Sequence, residues 1–142
     1  MRGRLASAAL LAAACGTNQA PAPTALPVAG SWSYVQQAAG ESSRCVEGGQ
    51  LQMTQQAGQL VGSFAARGGC EDARQARDFV RSGDLMDGRV QGSAISFSLG
   101  ECHYQGTLAG APPDRGAGTL RCDADGVRFA EGVAGNWELR RQ

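Results

Sequence analysis

Apolar and polar residues alternate along much of the chain, the period of strands buried on one face. In Leu51–Ala66, LQMTQQAGQLVGSFAA, Leu51 and Met53 alternate with polar residues, and Leu60, Gly62, Phe64 and Ala66 resume the alternation. Gln56-Ala57-Gly58-Gln59 between them is a turn signal. A hairpin turning between Ala57 and Gly58 sets Leu51 opposite Phe64 and Met53 opposite Gly62. The same register carries Cys45 to Cys70, and directly opposed residues lie within reach of a disulfide.

A second hairpin follows the same logic. Cys102, Tyr104, Gly106 and Leu108 share one face, and Gly118, Leu120 and Cys122 share another. A turn centred on Pro112 sets Tyr104 against Leu120 and Cys102 against Cys122. The predicted pairs are therefore Cys45–Cys70 and Cys102–Cys122.

Other strand signals complete the pattern. Trp32 and Tyr34 alternate with Ser31, Ser33 and Val35, and Ala94–Leu99, AISFSL, points Ile95, Phe97 and Leu99 inward. Phe79–Val90 contains Leu85, with Asp87-Gly88 read as a turn. Val127 and Phe129, then Trp137 and Leu139, finish the chain. The one helical stretch is Glu71–Asp78, EDARQARD, where acids lead and arginines follow as a helix dipole favours. It makes two turns at most. About eight short strands in hairpin order predict an all-β, up-and-down antiparallel barrel with one short helix and two disulfides, closed so that no edge is left exposed.

The N-terminus does not share this alternation. Arg2 and Arg4 precede an uncharged apolar run from Leu5 to Ala14, too short to span a bilayer and the length of a secretory leader. Ala12, Ala13 and Ala14 precede Cys15, which resembles a bacterial lipobox, although Ala12 stands where that motif prefers Leu. The resemblance implies that Cys15 is acylated and becomes the mature N-terminus. Cleavage by the ordinary signal peptidase after an Ala-x-Ala site is the competing reading. Residues 16–29, rich in Pro and Ala and without period, read as a disordered tether to a domain over residues 30–142. No Asp follows Cys15, which by the same resemblance favours the outer membrane, facing the periplasm.

Export changes the meaning of the cysteines. With Cys15 set aside, the other four form an even set that oxidises outside the cytosol. They contain no C-x-x-C knuckle for zinc. Composition narrows the function further. Gly is abundant at 21 residues, and every basic residue is Arg. Without the leader, 11 arginines face 13 acids, about −2. No basic stripe remains for nucleic acid.

Gly30-Ser31-Trp32 opens the domain, Gly135-Asn136-Trp137 opens the last strand, and Gln59–Phe64 reads QLVGSF. These motifs resemble the strand-entry signatures of lipocalins and other calycin-type barrels, including avidin-like ones. The resemblance implies a barrel whose base or ligand cavity involves Trp32, Tyr34, Tyr104 and Trp137, with the tryptophans most naturally plugging the base. The avidin ligand pattern is not met, because Tyr34 stands where Asn is required, so biotin binding is not implied.

Little else suggests chemistry. His103 alternates out of phase with Cys102 and Tyr104, so it faces outward together with Glu101, on a side where nothing excludes water. Asp123-Ala124-Asp125-Gly126 resembles the start of a calcium loop but lacks the later ligands, and reads as a turn. No nucleophile elbow, phosphate loop or zinc-binding helix motif appears. The expectation is a monomeric, non-catalytic envelope lipoprotein without cofactor or metal. Its barrel binds a small apolar ligand or lipid, or else binds an envelope protein, for instance as a hydrolase inhibitor using the tether or the loop Ala111–Gly116. A purely structural role is the third reading. A side-chain-filled interior would count against the first.

Overall fold

A computed structural model describes Gly16 and residues 24–142, so the leader and Cys15 lie outside the described residues. Eight strands run in order: β1 Gly30–Ala39, β2 Ser43–Gln56, β3 Gln59–Asp72, β4 Ala76–Gln91, β5 Ala94–Leu99, β6 Cys102–Gly110, β7 Pro113–Cys122 and β8 Val133–Arg141. Each pairs antiparallel with the next, and β8 pairs with β1 to close a barrel. Both predicted hairpins have the expected register, with Leu51 opposite Phe64, Met53 opposite Gly62 and Tyr104 opposite Leu120. Both predicted disulfides, Cys45–Cys70 and Cys102–Cys122, are present. They lie at one end of the barrel, here the disulfide end. The turns after β2, β4 and β6 lie at the opposite, N-terminal end.

No helix occurs among the described residues, which corrects the helical reading of Glu71–Asp78. β3 continues to Asp72, whose Oδ1 accepts hydrogen bonds from the Arg74 and Gln75 N–H groups, and β4 begins at Ala76. Two turns are too few to offset helix nucleation, and the Cys45–Cys70 pairing feeds this segment into the sheet. Asp87-Gly88 is likewise not a hairpin turn. It lies inside β4 at a break in register with β5 between Met86 and Arg89, with Asp87 at φ 53°. Leu85 and Val90 are an odd number of residues apart, yet both are buried. The bulge supplies the extra residue that keeps them on one face.

Val127 and Phe129, which alternate like strand residues, lie outside every strand. They belong to a loop over residues 123–132. Asp125 Oδ1 accepts hydrogen bonds from the Val127, Arg128 and Phe129 N–H groups and organises that loop. Phe129 is buried and meets Phe79 edge-on, centroids 5.7 Å apart, closing the disulfide end.

At the N-terminal end, residues 24–29 are packed rather than extended away. Val28 is fully buried, and Ala25 and Leu26 lie against the core. Gln55 holds them: its Oε1 accepts the Val28 N–H at 2.7 Å, and its Nε2 donates to the Leu26 carbonyl at 2.9 Å. Trp32 Nε1 donates to the Val28 carbonyl at 2.8 Å, and the Arg141 guanidinium lies 4.4 Å from the Trp32 ring centroid. Trp32 therefore floors the barrel.

Trp137 occupies the middle of the interior, with Phe97 at 5.6 Å and Tyr104 at 6.3 Å between centroids. It fits because Gly106 lies beneath it. A Cβ on Gly106 would stand 2.7 Å from Trp137 Cζ2 and closer still to the Ala117 carbonyl.

Candidate functional site

The barrel interior holds a polar cluster that follows from strand parity. Trp32 and Tyr34 point inward on β1, so Gln36 does too. Cys45 and Leu51 point inward on β2, so Glu47 does too. Leu85 points inward on β4, and Arg81 lies four residues before it. All three polar residues are almost completely buried, Arg81 being 2% and Glu47 4% exposed. Gly68, opposite Glu47, leaves the necessary room, since a Cβ there would stand 2.9 Å from that of Glu47.

Their geometry is a closed network. Arg81 Nε donates to Glu47 Oε2 at 2.7 Å and Nη2 to Oε1 at 2.6 Å, the two-pronged arrangement that suits a planar guanidinium. Arg81 Nη1 donates to the Leu99 carbonyl at 2.9 Å. The Tyr34 hydroxyl donates to Glu47 Oε1 at 2.6 Å, and the Tyr104 hydroxyl donates to Gln36 Oε1 at 2.5 Å. The Phe64 and Phe129 rings lie 5.3 and 5.7 Å from the guanidinium carbon. Gly83 Cα faces the Phe64 ring, so no side chain separates ring from cation.

Burial raises the Tyr34 hydroxyl pKa, and the Glu47 carboxylate raises it further. Burial also raises that of Tyr104, against the opposing pull of Arg81. For Arg81, burial lowers the pKa, but the hydrogen-bonded Glu47 charge more than reverses this. Tyr34 and Tyr104 are the only two tyrosines in the chain. The folded protein should therefore show no phenolate absorbance at 295 nm as pH passes 10, while the denatured chain titrates both groups there. Above pH 10 the unfolded chain loses protons that the folded one keeps, so stability must fall as pH rises. A 295 nm step near pH 10 without loss of fold would contradict the buried network.

Of the residues singled out from sequence, Tyr34 and Tyr104 join this cluster, Trp137 packs against Tyr104, and Trp32 sits apart at the floor. Gln36, Glu47 and Arg81 escaped the sequence reading because they are polar, although the parity that placed their apolar neighbours inward applies equally to them.

A second cluster lies on the outer wall. Ser98 Oγ is 3.0 Å from His103 Nδ1, and His103 Nε2 is 3.1 Å from Asp123 Oδ2. Glu101 lies nearby but faces Arg128, at 3.6 Å. The Ser–His–Asp order invites an acyl-transfer reading, but the environment is inverted. The serine is 8% exposed, whereas the aspartate side chain is 58% exposed and shared with Arg121 at 3.1 Å. A nucleophile must be reachable and its partners dry. No group of three or more metal-ligating side chains occurs among the described residues. In the Asp123–Gly126 segment, Asp125 spends one oxygen on three backbone N–H groups. Burial raises its pKa, but those donors outweigh burial and lower it overall.

The inward-facing side chains interdigitate, and the described depressions open on the outer wall and at the barrel ends. One groove of about 450 Å³ crosses the outside of β8, β1, β2 and β3, with Val35, Val46, Gly48, Arg67 and Glu138 among its lining residues. Val35, Val46, Val61, Val80 and Met86, each more than half exposed, all lie on β1–β4. Val127, in the 123–132 loop at the disulfide end, is the other large hydrophobic side chain so exposed among the described residues. No family model, curated protein or solved structure matches the chain.

Proposed function

We propose that this is a non-catalytic protein of the cell envelope, anchored through an acylated Cys15, that works by binding another protein on the outer wall of β1–β4. The observation that carries this reading is the occupied interior. Trp137, Tyr104, Phe97 and the Glu47–Arg81 pair fill the space in which a lipocalin-like barrel would hold a ligand. Val28 with Trp32 floors one end, and Phe129 covers the other. Opening the cluster for an apolar ligand would break a buried ion pair, at a cost of several kcal/mol. That counts against the small-ligand or lipid reading.

The outer wall supports the alternative. Exposed apolar side chains concentrated on one wall, five on β1–β4 against Val127 alone elsewhere among the described residues, mark an interaction surface. Val35 and Val46, beside Arg67 and Glu138, combine apolar area with charges of both signs, as protein interfaces do.

The test places a photo-crosslinking amino acid at Val46 or Val80, and at Thr119 on the opposite wall as control, in cells making the full chain. The expected result is one discrete protein adduct from the valine positions and none from Thr119. Native mass spectrometry of the purified protein should show the bare polypeptide mass plus its acyl group. A retained small molecule, or identical adducts from both walls, would overturn the proposal. If the captured protein is a hydrolase, its turnover with and without the purified barrel decides the inhibitor form of the reading.

A further inference from the structure

The two ends of the barrel carry opposite charge. Around the turns of the disulfide end, in residues 37–45, 70–78, 97–104 and 120–135, eight acids face five arginines, net −3. Around the N-terminal end, in residues 24–31, 54–61, 89–96, 108–115 and 139–142, four arginines face Asp114 alone, net +3 in side-chain charge. The turn tips at this end, Ala57-Gly58, Gly92-Ser93 and Ala111-Pro112, are small and uncharged, so nothing bulky keeps the end from a flat surface.

Arg141 is committed to the Pro27, Ala29 and Pro113 carbonyls. Arg89, Arg115 and Arg140 are exposed. Arg115 and Arg140 stand directly opposite each other across β7 and β8. Opposed like charges on neighbouring strands are unfavourable by themselves. Their own carboxylate partners, Asp114 at 3.1 Å and Glu138 at 3.9 Å, are exposed and weak. An external anion between the two guanidinium groups would relieve the pair.

The path of the chain identifies the surface that presents such anions. Gln55 fixes Leu26 and Val28 to the N-terminal end. Only ten residues separate Leu26 from Cys15, about 35 Å at full extension. We infer that the N-terminal end of the barrel docks on the bilayer that holds the anchor, with Arg89, Arg115 and Arg140 on anionic phospholipid headgroups and the acidic disulfide end pointing away. This rests on the reading of Cys15 as acylated. Direct contact is required, because surface charges are screened beyond about 10 Å. Docking would also stand the valine wall upright, open to a partner approaching along the membrane.

The test uses the acylated protein in nanodiscs containing paramagnetic lipid, read by backbone NMR. Amides of Gly58, Gly92 and Gly110 report on the N-terminal end, and those of Gly40, Gly126 and Gly132 on the other. On phosphatidylglycerol discs the first set should broaden roughly fivefold or more relative to the second, since each arginine at an anionic surface is worth about that factor in population. On phosphatidylcholine discs the contrast should fade. The triple variant Arg89→Glu, Arg115→Glu, Arg140→Glu should abolish it while the protein stays in the disc with a folded spectrum. Equal broadening of both ends on anionic discs overturns the docking and leaves the anchor standing. An unmodified Cys15 in the mass spectrum overturns the anchor, and the docking with it.

Discussion

Arg81→Met is expected to destabilise the barrel by about 3–5 kcal/mol, a large part of the stability of a domain this size. The cost comes less from the lost attraction than from what remains. Glu47 would keep its inward position, 4% exposed, with only the Tyr34 hydroxyl on its carboxylate. An uncompensated buried carboxylate must take up a proton or draw water into the core, and both loosen the packing against Phe64 and Phe129. Glu47→Gln should cost a similar amount by stranding the guanidinium.

The double variant Glu47→Leu, Arg81→Met separates this explanation from simple loss of packing volume. With both charges gone, two apolar side chains fill the same space, and a good part of the loss should return. Urea denaturation of the four proteins gives the coupling energy directly. Strictly additive losses, or a single variant costing less than about 1 kcal/mol, would mean that the pair is not energetically coupled. A recovered double variant would also show that the pair contributes specificity of fold more than net stability.

The second large effect should follow loss of the disulfides. Cys45–Cys70 and Cys102–Cys122 span sequence separations of 25 and 20, and loops of that length correspond to roughly 3 kcal/mol each in the chain-entropy account. Cys45→Ala with Cys70→Ala, and the same change at Cys102 and Cys122, should each lower the urea midpoint by an amount equivalent to about 2–4 kcal/mol. Reducing both bridges should leave the chain largely unfolded at 37 °C. Because both lie at one end, the loss should be uneven. Amide exchange should rise first at the disulfide end, in the 123–132 loop and the rims of β2, β3, β6 and β7, while the Gln55-clamped end stays protected. A reduced protein that keeps its midpoint would show that interior packing alone holds the barrel.

Much of this architecture is legible in the chain because a strand has period 2. Once Ala57-Gly58 is taken as a turn, one register follows for all of β2 and β3, and it carries Cys45 to Cys70 without further assumption. The same holds around Pro112 for Cys102 and Cys122. The failures occur where a local signal competes with a pairing that is not local. Glu71–Asp78 has a helical charge pattern, but its neighbours were already tied into the sheet. Asp87-Gly88 has turn chemistry, and β4 uses it as a bulge to keep Leu85 and Val90 on one face. Val127 and Phe129 alternate like a strand, and Asp125 folds them into a cover.

The sequence by itself determined the all-β barrel, the two hairpin registers, the disulfides they imply and the inward side of the strands that alternate without a break, because alternation and turn chemistry act over a few residues. Only the tertiary structure decided what the interior contains. Glu47, Arg81, Tyr34, Tyr104 and Gln36 come from three separate hairpins, and they meet only when β8 pairs with β1. Closure sets the radius, the inward side chains are buried against one another within it, and the polar groups must then satisfy one another. The polarity of the two ends has the same origin, since charges scattered along the chain gather at one rim or the other only when the seven connections between the strands alternate between them.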